Sequence, residues 1–272
     1  MINFSSLIPA GLQSPAVKRY LAIKNNALSE LDRLVCIEGL NMLWHALTAG
    51  AEISSLFVCP ALLRGEVRQD VVQTLIAAGV PSYQISEKIL TRLTEWEGPD
   101  GLVAIVSLPH ATLQTLLLHS DAALLVLDNL QIPGNIGTII RSADGAGIDG
   151  VILADCKPRL THPKVVRASM GSLFSFPAIE TTSEEAISWL KQQGFSIITA
   201  DPAAALSYRQ ADYRGRVAVV MGNERDGISS VWSAAQDNSV FIPMHGRADS
   251  LNVGSAAVVL LYEMIHQQGR VQ

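Results

Sequence analysis

AALLVLDNLQIPGNIGTIIRSADGAGIDGVIL, residues 122–153, is the stretch that decides the fold. Leu124–Leu127 is an apolar run too short for a helix and bounded by turn residues, which reads as a strand buried on both faces. Pro133 and Gly134 then enforce a turn. Beyond it Ile136, Ile140, Ala143 and Gly147 fall on one stripe, so a helix is expected over Ile136–Ala146. Gly150–Leu153 is the next strand. Strand, crossover helix and strand predict a parallel pair.

The same alternation runs on to the C-terminus. Helices are expected over Lys164–Ser169, Glu184–Gln193 and Val253–His266, and strands over Ser196–Thr199, Val217–Met221 and Val240–Ile242. This is an α/β pattern with a mostly parallel sheet covered on both faces. Ligands of such sheets bind beyond the carboxyl ends of the strands, so chemistry is expected in the loops that leave them.

Upstream, Leu34–Ile37, Ile53–Val58 and Gly101–Val106 read as strands. Leu40–Ala49, closed by Gly50, and Val67–Ala78, closed by Gly79, read as helices. A small α/β domain over residues 1–108 is expected to precede the larger one over 109–272. The connection, Leu108–Ser120, is expected to be a helix packed on the second domain.

The chain has 272 residues, 49% hydrophobic and 17% charged, enough for two unequal cores. Its net charge of −5 argues against a non-specific coat on nucleic acid, and taken alone favours a small-molecule enzyme. Met1–Leu7 lacks a basic lead, and no apolar run approaches the length of a membrane span. Cys36, Cys59 and Cys156 form no CxxC pair, and the histidines, His162 and His245 included, form no ligand cluster. A reducing cytoplasm, no membrane and no metal are the expectations.

Three loops carry more than connection. In the first, DNLQIPGNIG (128–137), Asn135 can cap the following helix and Gly137 can admit a close backbone. Arg141 sits at the edge of the apolar stripe, where it reaches a pocket or lies in solvent. The Gly-x-Gly-x-x-Gly pattern of dinucleotide binding is absent. In the second, MGNERDG (221–227), two glycines bracket an acidic turn and Asp226 could stand near a helix start. In the third, IPMHGRADSLN (242–252), Ser250 or Asn252 can cap the last helix, which leaves one polar residue over.

The segments PGNIGTIIRSA, VVMGNERDG and IPMHGRADSLNVGSAAVVLLYE resemble, in order, the three signature motifs of the SpoU/TrmH branch of the SPOUT methyltransferases. The segments VCIEGLNMLWHAL and ISSLFV more loosely resemble a small RNA-binding domain similar to ribosomal protein L30e. The resemblance implies a trefoil-knotted sheet, a homodimer, and S-adenosylmethionine held in the knotted loops. It implies cofactor contacts at Gly222, Ile242 and Leu251, with Thr199, Ala200 and Met244 lining the pocket. It places Asn135, Arg141, Glu224, Ser250 and Asn252 in the catalytic and substrate-facing set. Gly254 stands where many relatives have serine, and Lys18–Arg33 is less basic than many RNA-binding lead-ins.

The reaction the resemblance implies is methyl transfer to a ribose 2′-hydroxyl of RNA, with ribosomal RNA expected before transfer RNA. It needs alignment, a proton acceptor and dry surroundings, and no metal. Arg141 is expected to hold a phosphate beside the ribose; the alternative role, as the base, requires a neutral guanidinium. A base-methylating or a non-catalytic RNA-binding relative would share the fold.

Overall fold

The computed structural model describes residues 6–26 and 33–270. Part of the Met1–Leu7 reading and the Ala27–Asp32 part of the basic lead-in therefore lie outside the described residues.

In chain order the elements are β1 (Ile8–Pro9), α1 (Pro15–Lys24), β2 (Leu34–Glu38), α2 (Gly39–Thr48), β3 (Ile53–Val58), α3 (Glu66–Ala77), β4 (Ser82–Gln84), α4 (Glu87–Leu93) and β5 (Leu102–Ser107). There follow β6 (Ala123–Asp128), α5 (Pro133–Ala146), β7 (Gly150–Ala154), α6 (Pro163–Ala168), β8 (Ala178–Thr181), α7 (Ser183–Gln192), β9 (Ser196–Ala200), β10 (Leu206–Ser207), β11 (Val217–Met221), α8 (Ser230–Ala235), β12 (Asn238–Phe241) and α9 (Val253–Gln267). Apart from the helix expected within Leu108–Ser120, every expected strand and helix forms, within a few residues at its ends. The additions are short strands or helices such as α1, which buries Val17, Tyr20 and Ile23 with Ala16 and Leu21 packed beside them.

The chain divides into two units, one running to Pro109 and including Thr161–Ser175, the other made of His110–Leu160 and Phe176 onward. The first holds a five-stranded sheet in the order β1-β4-β3-β5-β2. Here β2 and β3 run antiparallel to β5, while β4 runs parallel to β3. Tyr20 of α1 meets Phe57 edge-on at 5.4 Å in its core. The helix expected over Lys164–Ser169 is α6, and it packs on β2 although it is encoded between two strands of the other unit. A 3-10 turn at Ser172–Phe174 follows and packs on α2. Gly171 makes that packing possible: it sits at φ +103°, and a Cβ there would lie 2.6 Å from the His45 ring.

The second unit holds a seven-stranded sheet, β10-β12-β9-β11-β6-β7-β8, and all its pairings are parallel. The interior strand β6 is buried along its full length. Leu124, Val126, Ala218 and Val220 pack with Leu190 and Trp232 beneath α7 and α8. The alternate residues face the other side, where α5 and α9 pack on each other. Trp232 is fully buried and its ring N–H donates to the Ser183 hydroxyl at 3.0 Å.

The helix expected within Leu108–Ser120 does not form. One 3-10 turn, Leu113–Thr115, stands in its place. The Thr115 hydroxyl accepts from the Thr112 N–H at 2.9 Å and donates to the Thr112 carbonyl at 3.0 Å, closing the chain after a single turn. The expected packing is present nonetheless, because Leu113 enters the core of the second unit with Leu116 and Leu118 against it.

Candidate active site

In the second unit, β6, β9, β11 and β12 are all parallel, so their carboxyl ends share one edge of the sheet. The loops that leave that edge enclose a cleft of about 600 Å3, within the usual range for ligand pockets. Ala200, Gly222, Ile242, Met244 and Leu251 line it, five of the six residues expected to hold a cofactor. The sixth, Thr199, does not line the cleft. It is 1% exposed, and its hydroxyl bonds Gln236 and, at 3.0 Å, Ser239. Strand alternation is the reason: with Ala200 facing the cleft, its neighbour must face the other side.

The second loop owes its shape to two residues. Asn223 and Gly227 exchange backbone hydrogen bonds of 3.0 and 2.9 Å, which lifts Glu224, Arg225 and Asp226 onto a tight turn. The turn folds back so closely over Gly222 that any Cβ there would overlap the backbone of Gly227 and Ile228. Glycine at 222 is thus a steric requirement. Asp226 is exposed at the tip and α8 starts only at Ser230, so Asp226 caps no helix.

The first and second loops are clasped together by two buried polar side chains that the sequence reading did not single out. Asn223 donates from Nδ2 to the carbonyl of Asn129 at 2.8 Å and accepts from the Arg225 N–H at 2.8 Å. The Asp128 carboxylate accepts from the Ser229 N–H at 2.7 Å. Burial pushes the Asp128 carboxyl above the usual carboxylate range, against the lowering effect of that bond. A polar residue at the end of an apolar strand was the available signal.

Above the clasp, three of the expected catalytic residues meet. The Asn135 amide donates to Glu224 Oε1 at 2.5 Å, and Asn252 Nδ2 reaches Asn135 Oδ1 at 3.5 Å. Asn135 does not cap its helix. α5 begins at Pro133 with Ile132 in the cap position, which leaves the Asn135 side chain for Glu224. The cap of α9 is Asn252, whose Oδ1 accepts from the Gly254 N–H at 2.9 Å. Ser250 is the spare polar residue: it lines the cleft, and its hydroxyl donates to Asp249 Oδ1 at 3.2 Å. Gly254 is buried beside this cap, and a Cβ there would lie 3.1 Å from Asn252 Oδ1.

Arg141 lies on the exposed face of α5, outside the cleft lining. It forms no ion pair or hydrogen bond with the described residues. His245 is exposed, whereas His162 is half-buried and caps α6, accepting from the Lys164 N–H at 3.1 Å through Nδ1. Burial, assisted by the Lys164 charge, pulls the His162 imidazole below its ordinary pKa. Among the described residues no group of His, Cys, Asp and Glu could hold a metal ion, and no helix is long and apolar enough to cross a membrane.

An all-parallel sheet that gathers one large cleft and a few convergent polar side chains at its carboxyl edge is the arrangement of a ligand-binding α/β enzyme. Residues 122–262 match the model of the SpoU rRNA Methylase family, and residues 15–104 match that of the MRM3-like substrate binding domain. The chain belongs to the SpoU rRNA methylase family.

It is 28% identical to the 23S rRNA (guanosine(2553)-2′-O)-methyltransferase RlmP of Bacillus subtilis, over 84% of this chain and 87% of that one. It is 31% identical to the uncharacterized tRNA/rRNA methyltransferase slr1673 of Synechocystis, over 94% of this chain and 92% of that one. Among solved structures, the AdoMet-bound rRNA methyltransferase of Sinorhizobium meliloti superposes with a TM-score of 0.86 at 30% identity, covering 96% of this chain and 98% of that one.

Proposed function

We propose that this protein transfers the methyl group of S-adenosylmethionine to a ribose 2′-hydroxyl of RNA, and that the RNA is ribosomal. One observation carries the reading: a cleft at the carboxyl ends of parallel strands is built by the same three loops that resemble the family motifs. Relatives named as 23S rRNA 2′-O-methyltransferases favour ribosomal RNA over transfer RNA.

The cleft suits the cofactor. Its walls are apolar at Ile242, Met244 and Leu251, where an adenosyl group can lie, and Gly222 lets the Gly227 turn close over the end of β11. When bound, S-adenosylmethionine supplies a methyl group already activated by its sulfonium. The protein's own residues then align and deprotonate the acceptor. Glu224 orients the Asn135 amide, and Asn252, fixed as the cap of α9, holds the other end of Asn135. Ser250 is free to position the hydroxyl or a phosphate oxygen. Arg141, with no protein partner among the described residues, is suited to grip the phosphate beside the target ribose.

In this reading the first unit selects the RNA and two copies pair through α9, where Tyr262 is 54% exposed on a mostly apolar helix. The trefoil threading of the C-terminal segment, a cytoplasmic location and a metal-free reaction belong to the same reading. The test is methylation of ribosomal and transfer RNA with methyl-labelled cofactor in the presence of a chelator, followed by digestion to nucleosides. A 2′-O-methylnucleoside from ribosomal RNA is the expected product. A methylated base would move the protein to the base-modifying class.

A further inference from the structure

The first unit carries a second cleft, of about 560 Å3, that no part of the reaction uses. Trp44 of α2 and Trp96 of the loop after α4 both line it, 53% and 50% exposed. The other two tryptophans of the chain behave differently. Trp232 is fully buried, and Trp189 stacks on Phe195. Two half-bare indoles on one cleft are costly in water unless something covers them.

The cleft is also rigid. Asp100 accepts from the Leu40 N–H at 2.8 Å, from Arg68 Nε at 3.2 Å and from the Leu102 N–H at 3.3 Å. Glu38 accepts from the Glu95 N–H at 3.1 Å, and Lys24 Nζ donates to the Thr94 carbonyl at 3.3 Å. Gly101, at φ +92°, fits so tightly against the Cys59–Leu63 turn that a Cβ would lie 2.9 Å from the Leu63 nitrogen. The loop that carries Trp96 is therefore held at both ends before any ligand arrives.

The chemistry of the walls selects the occupant. Glu38 and Asp100 place two carboxylates in the cleft against one guanidinium, Arg68, so a phosphate is disfavoured. Each carboxylate still has acceptor capacity beyond the bonds just described. Flat aromatic faces beside acceptor groups suit a nucleobase, which stacks on its face and donates from its edge.

We propose that this cleft reads one unpaired base of the RNA substrate, stacked on Trp44 and Trp96 with its N–H edge toward Glu38 and Asp100. Guanine, with two adjacent donors, is the preferred base. This rests on the reading of the protein as an RNA enzyme, and on the match of residues 15–104 to a substrate binding domain.

The experiment uses the full chain without cofactor, titrated with the RNA pentamers UUGUU and UUUUU while tryptophan fluorescence is followed. UUGUU is expected to quench the emission and bind about tenfold tighter than UUUUU. Trp44→Leu and Trp96→Leu, both at half-exposed positions, should each weaken UUGUU binding by roughly tenfold. Glu38→Gln should abolish the preference between pentamers and leave the quenching. Equal binding of the two pentamers, UUGUU binding untouched by both tryptophan changes, or no response to either RNA would overturn the proposal; the last is the result expected if the cleft takes a protein segment instead. Because no methyl transfer is involved, a chain that methylates ribose yet fails here loses only this inference. A chain that reads guanine yet methylates nothing loses only the proposed activity.

Discussion

Arg141 is defined by what it lacks. An exposed guanidinium with no partner among the described residues adds little to stability, so its replacement should leave the fold intact and report on function alone. Arg141→Ala is expected to lower the methyl-transfer rate by about a hundredfold or more while cofactor affinity stays unchanged. Arg141→Lys separates the roles: partial recovery points to charge on a phosphate, no recovery to the planar grip or to base chemistry. Single-turnover kinetics with equilibrium binding of the cofactor measure both. Gly222→Ala should do the reverse, since the new Cβ would push the Gly227 turn off its seat and deform the cleft. Calorimetry should show loss of cofactor binding in that variant before any loss of global fold.

At the scale of elements, the clasp between the loops after β6 and β11 has a pH signature. The buried Asp128 carboxyl is held above the usual range, so the native chain binds its proton more tightly than the unfolded chain does. Between the ordinary carboxylate pKa and the raised one, stability from this group falls as pH rises. Asp128→Asn keeps an acceptor for the Ser229 N–H and removes the charge. Its melting temperature relative to the unchanged chain should therefore climb as pH is raised from about 4 to 7. Thermal melts at several pH values would show a flat difference if the clasp carries no such penalty. Cys156, just after β7, donates to the Leu127 carbonyl of β6 at 3.2 Å and is a second probe. Burial pushes its thiol up to about 12, so it stays protonated and should resist iodoacetamide at pH 8 while the chain is folded.

Across the whole molecule, the segment Thr161–Ser175 complicates any cut between the units. It is chained at both ends to the second unit but packs within the first, burying Val165, Val166, Leu173 and Phe174. Removing only the residues up to Pro109 would bare those four side chains, and the shortened chain is expected to aggregate. Replacing Thr161–Ser175 by a short glycine-serine linker in the same deletion should restore solubility. That double deletion should bind cofactor normally and lose RNA methylation, as light scattering, calorimetry and the methylation assay would show. Full methylation by it would remove the first unit from substrate selection. The proposed pairing through α9 predicts a sedimenting species of twice the monomer mass.

What the sequence determined by itself was whatever depends on local spacing. Short apolar runs and a 3.6-residue stripe act within a few residues, so β6, β7, β9, β11 and β12 of the parallel sheet, the helices α5, α7 and α9 and the three loops were legible, whereas the short β8, β10 and α8 were not. The same local logic erred where a choice depended on a distant partner. Asn135 looked like a cap because the backbone N–H groups of a helix start were the nearest claim on it; its actual partner, Glu224, is 89 residues away. Thr199, placed in the pocket by the resemblance alone, has its hydroxyl bonded to Gln236 and Ser239, 37 and 40 residues away. The Asp128 and Asn223 clasp, the need for glycine at 222 and the excursion of Thr161–Ser175 were likewise decided by tertiary structure. Each is a contact between segments far apart in the chain, and burial, which assigns every polar group a partner or a cost, acts only once those segments have met.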